Sequence, residues 1–378
     1  MNREIRERGR ERRSCIGILR GVTLVLCAVA TAASATTAQT EPDASGAETT
    51  SEDVALVFAG KPTTRSKIES RLAPPVREAL DHWAPIAESL GLEIVVGDKP
   101  GHIVLGAAPT KMLVDAAKWM DKGFDLLDPV VPQAEGRPVK ATVAVLFDQD
   151  GVSSGAWGGL LAVLVNEKLM TREAADHLHQ HVEGLLLRQG PLFLQPTFDI
   201  AGDAAAGDDE FRLGNEVVHK AAQCLLTMRT GQQPAALMWG LAYVAEIKLF
   251  DSVYHFNRAG FVAVDDHTGW SGKAREALDE RRKSSSFSLA ALAADDSVAG
   301  RAEPAQMLSW AGLAYLSQKK PQELRAMWDA LAQAQLEADP LGLAPVYRGD
   351  PERTLEILRG TLDGIDPQEL SSFLKRGK

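Results

Sequence analysis

Asn215-Glu216-Val217-Val218-His219, early in a run from Phe211 to Met228, decides the reading of this chain together with Pro234-Ala-Ala-Leu-Met-Trp239-Gly-Leu-Ala-Tyr-Val-Ala-Glu246. Val218, Ala221, Ala222 and Leu225 recur at helical spacing, so the spacing predicts a helix over 211–229. Asn215 and His219 are four apart and share a face, with Glu216 beside it. Pro234 opens a second predicted helix over 234–250. Two adjacent helices with polar residues at one-turn spacing are the raw material of a site, and the rest of the chain is read around them.

On the N-terminal side the pattern is mixed. Residues 2–13 are rich in Arg, and an apolar run from Gly21 to Ala33 ends in Ala33-Ser34-Ala35. A basic start, a short apolar stretch and a small-x-small exit describe a signal peptide over 1–35, cleaved near Ala35. The Arg12-Arg13 pair hints at twin-arginine export, but the residues after it suit general secretion better. The apolar run is too short to span a bilayer, so no integral membrane span is expected once the signal is removed. Residues 36–52 are rich in Thr, Ser, Ala and Glu, without apolar periodicity, and read as a disordered leader. Residues 53–150 alternate strand-like runs, of which Lys140 to Phe147 is the clearest, with helical spacing over 74–90 and 112–127. They are expected to form a small α/β subdomain.

After Gly151 the expectation is almost wholly helical. Segments run over 155–167, 171–188, 211–229, 234–250, 273–283, 303–317, 321–338, 350–361 and 366–375. The fold class implied is α+β, an N-terminal α/β subdomain (53–150) ahead of a mostly α-helical domain (151–378).

Charge limits the partners. The chain carries 41 Lys and Arg against 51 Asp and Glu. Residues 1–35 hold seven of the basic and three of the acidic ones, leaving 34 against 48, a net of −14. An acidic export product argues against nucleic acid as a partner. Cys15 and Cys27 leave with the signal, and Cys224, left alone, reads as a small buried apolar residue.

The chemistry lies in the helix pair. In an H-E-x-x-H helix, two His one turn apart hold zinc and the Glu activates a metal-bound water. Here Asn215 takes the first His position, while Glu216 and His219 stand where base and second ligand would be. The pair resembles the gluzincin metallopeptidases of the peptidase-MA type, especially a group of secreted bacterial proteins of unknown function related to them. Those carry a pattern like P-x-W-L-x-E-G-L-A-x-Y-x-E on the next helix, and the Glu before Gly-Leu-Ala is the third ligand. Gly240-Leu241-Ala242 and Glu246 match, and the ligand position falls on Trp239. Glu246 corresponds to the later Glu, two turns behind the metal position. Lys140 to Phe147 resembles the strand before the family's active-site helix, and Ser309-Trp310-Ala311-Gly312-Leu313-Ala314-Tyr315-Leu316 resembles a helix packed behind it.

The resemblance implies vestigial ligand positions at Asn215, His219 and Trp239 and a vestigial base at Glu216. Asn is a poor zinc ligand and Trp has no acceptor. The expectation is therefore no cofactor, no catalysis, and a binding or scaffolding role in the cell envelope, with a polypeptide held in the vestigial cleft. The alternative is an active secreted zinc metallopeptidase with non-standard ligands, Glu246 among them. Apart from the resemblance, His219 reads as a core histidine. A weaker metal candidate is His177 with His181, four apart near Glu183, whose plainer reading is the exposed face of the 171–188 helix. Asp265-Asp266-His267 reads as a solvated loop cluster.

Overall fold

Strand composition and turn chemistry first produce a hairpin: β1 (Ala55–Phe58) pairs antiparallel with β2 (Lys61–Thr64). The computed structural model describes residues 54–97, 99, 101–133, 139–146, 197–200, 212–231, 233–258, 261–267, 269–284, 286–295, 302–338 and 346–376, with short pieces between 158 and 176. The signal and leader expected over 1–52 lie outside the described residues. Pro62 sits on β2 at the sheet edge, where its missing N–H breaks no ladder.

A single helical turn, Arg65–Ile68, leads into helix α1 (Pro74–Leu90). Gly91, in the left-handed conformation with φ +64, ends that helix and turns the chain into β3 (Glu93–Val96). Strand β4 (His102–Gly106), helix α2 (Thr110–Leu127) and strand β5 (Thr142–Leu146) come next. Together with β6 (Thr197–Ile200) they complete a six-stranded mixed sheet in the order β2-β1-β3-β4-β5-β6. The β1–β3, β4–β5 and β5–β6 pairs are parallel and β3–β4 is antiparallel.

The pleat divides the apolar residues between two faces. Leu56, Ile94, Val96, Ile103, Leu105, Val143 and Val145 pack with Val76, Leu80 and Trp83 of α1. Val57, Val95, Val104, Ala144 and Leu146 pack with Leu113, Ala116 and Met120 of α2 on the other side. Val217, Ala221 and Cys224 of α3 (Leu213–Thr230) join that second face.

Helix α3 also faces the remaining helices. Val218, Ala222, Leu225 and Leu226 enter a large core with α4 (Ala235–Phe250), α5 (Trp270–Arg281), α6 (Leu289–Ala294), α7 (Glu303–Lys319), α8 (Pro321–Gln333), α9 (Pro351–Thr361) and α10 (Pro367–Arg376). The fold is thus α+β and mostly helical, as expected. The boundary expected at residue 150 does not divide it: β6 lies beyond that point yet extends the sheet, α3 covers one sheet face, and residues 52–378 cluster as one unit.

Beyond residue 151 the expectation also omitted strands. Besides β6 there are an antiparallel hairpin, β7 (Val253–Arg258) with β8 (Phe261–His267), and a pair, β9 (Gln335–Ala338) with β10 (Val346–Gly349). Asp265-Asp266-His267 thus ends a strand, not a loop, and the helix expected over 321–338 stops at Gln333. In the segments expected over 155–167 and 171–188, the described residues 158–159, 161–162, 165–166, 172–173 and 175–176 are helical, and most of the rest lies outside the described residues.

Helices α4 and α7 cross in close contact. A Cβ on Gly240 would lie 2.9 Å from the Trp310 backbone nitrogen and 3.1 Å from Ser309 Cβ. Backbone cannot yield as a flexible side chain can. Gly240→Ala is expected to destabilise by about 1–3 kcal/mol through overpacking, despite Ala's better helix propensity. Gly272→Ala in α5, where a Cβ meets nothing within 4 Å, is the control. Urea midpoints should fall for the first variant and stay or rise for the second.

Candidate functional site

Every side of α3 is covered. Between its two apolar stripes run two polar ones, Asn215, His219 and Gln223 at successive turns, and Glu216 with Lys220 beside them. All five are buried, with Asn215 and His219 at 1% exposure and Lys220 at 2%. Buried polar groups at this density must find partners; Glu246 of α4 serves Asn215 and His219, and the other pairs form along α3 itself.

Glu246, fully buried on α4, is the centre. Its Oε1 lies 2.6 Å from His219 Nδ1. Its Oε2 accepts from Asn215 Nδ2 at 3.1 Å and from the Tyr254 backbone N–H at 3.0 Å. Asn215 Nδ2 also reaches the Ser252 carbonyl at 3.3 Å. On the far side of the imidazole, Gln223 Nε2 stands 2.9 Å from His219 Nε2. An amide nitrogen only donates, so His219 Nε2 accepts, and the proton sits on Nδ1, facing Glu246. The ring is therefore neutral. Burial acts in the same direction, holding the His219 pKa down at about 3, with Glu216 opposing and Lys220 assisting.

Aromatic rings enclose the imidazole. Trp239 meets it edge-on at 4.8 Å between centroids and Tyr243 at 5.4 Å. Trp239 itself is half-buried. The Tyr243 hydroxyl donates to Gln306 Oε1 at 2.9 Å, and its pKa is raised by burial and by the Glu246 and Glu303 carboxylates. Lys220 Nζ lies 2.9 Å from Glu216 Oε1, an ion pair one turn apart inside the protein. Cys224 is a free buried thiol, its pKa pushed up by that burial against the pull of Lys220.

The structure brings together Asn215, Glu216, His219, Trp239 and Glu246, the positions singled out from sequence. Glu246, expected behind the vestigial ligand positions, bonds directly to two of them, Asn215 and His219. His177 and His181 lie outside the described residues. Sequence reasoning missed Lys220, Gln223, Tyr243 and Ser252. The signal for the first two was present: 215, 219 and 223 form an i, i+4, i+8 polar row, flanked by 216 and 220, on a helix that also carries apolar residues on two sides.

A catalytic zinc needs three protein ligands and an open position. In this arrangement both nitrogens of His219 face protein partners, Asn215 turns its N–H groups inward, and Trp239 has no acceptor. As placed, these residues do not fit that ion. Among the described residues no three His, Cys, Asp or Glu side chains group as a metal site. Nor, among them, is any helix long and apolar enough to cross a membrane.

Comparison with protein-family models, with curated proteins and with solved structures finds no match for this chain. The site is therefore read from its own chemistry.

Proposed function

We propose that this chain is an exported, non-catalytic protein of gluzincin-like form whose zinc site has become a closed hydrogen-bonded lock, and that it acts by binding or scaffolding in the cell envelope, with a polypeptide as the ligand class. The observation that carries the reading is the engagement of both His219 nitrogens, one by Glu246 and one by Gln223. A lone imidazole already committed on both sides has no lone pair to offer a metal. Without a metal, Glu216 has no activated water to deprotonate and instead faces Lys220.

One observation favours the alternative of a working zinc metallopeptidase. Glu246 and His219 are both ligand types, and they stand 2.6 Å apart. Metal analysis of the purified chain after zinc loading and dialysis separates the two readings. The expected result is well below one zinc per chain and no cleavage of unfolded polypeptide. Stoichiometric zinc with peptide hydrolysis would overturn the proposal. In the reverse direction, Asn215→His combined with Trp239→Glu is expected to recover zinc binding, because it returns an imidazole to the α3 face that carries His219 and a carboxylate to the α4 position beside that ring.

A further inference from the structure

Beyond the lock itself, we propose that the β7–β8 hairpin is a hinged flap, pinned shut over the polar cluster by Glu246 and Asn215. The hinge is the connection between α4 and β7. Asp251 sits there in the left-handed conformation, φ +56, and turns the chain out of the helix. Immediately after it, two ties reach out of the cluster: Asn215 Nδ2 to the Ser252 carbonyl, and the Tyr254 N–H to Glu246 Oε2. Between these tied residues, Val253 is fully buried in the helical core. Beyond Tyr254 the ladder register shifts between Val253 and His255. A bulge of this kind bends a strand and weakens its coupling to what precedes it.

The hairpin's ladder pairs Val253 with His267 and, past the shift, His255 to Arg258 with Val264 to Phe261, in a two-stranded sheet separate from the six-stranded one. A two-stranded ribbon has little stability of its own, so its position depends on its root and on the packing of β7 against α3, α4 and α7. That root is held by the same carboxylate that orients His219. Opening at Ser252–Tyr254 would therefore free Glu246 Oε2 and Asn215 Nδ2 together and admit water, or a ligand's polar groups, to the cluster. The cluster would act as a clasp, with Glu246 and Asn215 as positioning residues.

The inference rests on the metal-free reading, since a zinc ion would claim Glu246 for itself. Hydrogen exchange tests it on the full chain, with zinc content measured on the same sample. The amides of Tyr254 and of 255–258 are expected to exchange at least tenfold faster than those of Leu241 and Val143, which open only on global unfolding. Glu246→Gln keeps the side chain's shape but turns one acceptor into a donor. It should raise exchange at Tyr254 a further tenfold while leaving Val143 unchanged. Should Glu246→Gln fail to fold, Asn215→Leu, which removes the Ser252 tie, is expected to give the same local increase. Hairpin amides that exchange only at the global rate, in metal-free wild type and in either folded variant, would overturn the flap, and metal-free composition makes that failure separate from failure of the functional reading.

Discussion

Truncating Glu216 to alanine is expected to cost this protein about 3–5 kcal/mol of folding stability, because it removes the carboxylate that faces the buried Lys220 ammonium at 2.9 Å. The side chains are 5% and 2% exposed and 2.9 Å apart, so water cannot take over the role of the missing partner. Lys220→Ala should be costly for the mirror reason, removing the ammonium that Glu216 faces. The pair as a whole is another matter. Desolvating both charges cancels much of their attraction, so Glu216→Leu with Lys220→Met is expected to recover most of the single-variant loss, to within about 1 kcal/mol of wild type. Urea denaturation of the four proteins of the cycle gives the answer. A cost below about 1 kcal/mol for Glu216→Ala would mean that the ammonium reaches solvent and that the cluster is not sealed.

The helix pair was legible because its signals are local. Helices expected over 211–229 and 234–250 run over Leu213–Thr230 and Ala235–Phe250. Apolar spacing, Pro234 at the start of the second helix and the turn between them are all properties of neighbouring residues. The strands after residue 151 were not legible in the same way. Strands β6, β9 and β10 have four residues each, too few to establish a period of two, and β6 is strand only because β5 lies open beside it. The hairpin did carry a signal, since Phe261-Val-Ala-Val264 is rich in strand formers and Gly260 precedes it. The helical pattern on both sides obscured it.

The site divides along the same line. Asn215, Glu216, His219 and Trp239 stood out by position, and they converge. Their common meeting point did not stand out. That Glu246 is the shared acceptor depends on the crossing of α3 and α4, and on a backbone N–H from the next strand. Sequence spacing places a residue on a helix face, but the neighbour across that face is set by packing. His102 was missed entirely for this reason. It opens a strand, reads as one polar residue before an apolar run, and is fully buried, with its Nε2 3.1 Å from the Ala117 carbonyl on α2.

That histidine and His219 together make an acid-labile protein the expected outcome. Burial holds His102 neutral, with a pKa lowered to about 4 against the opposing bond to Ala117, and His219 neutral, with a pKa lowered to about 3. In the unfolded chain both return to about 6.5. The unfolded state thus binds protons first as pH falls, and stability that is fully present above about pH 6.5 is lost progressively towards pH 4 for His102 and pH 3 for His219. At pH 5 the loss is about 2 kcal/mol from each, at 1.36 kcal/mol per pH unit below 6.5. Two such losses are a large fraction of the 5–15 kcal/mol typical of a folded domain. Stability read by urea denaturation should therefore fall steeply between pH 7 and pH 5, approaching a limiting slope of about 1.36 kcal/mol per pH unit for each histidine. His102→Gln removes one of the two protonation sites. Its stability at pH 8 is expected to be lower than wild type, because the amide must fit against the Gly97 backbone, where a Cβ would already lie 2.3 Å from the imidazole. Its pH slope, however, should be about half that of wild type, which a loss of packing alone would not produce. Equal stability of the wild-type protein at pH 7 and pH 5 would mean that both rings take up a proton as readily in the folded state as in the unfolded chain, and the assignment of Gln223 as donor to His219 would fall with it.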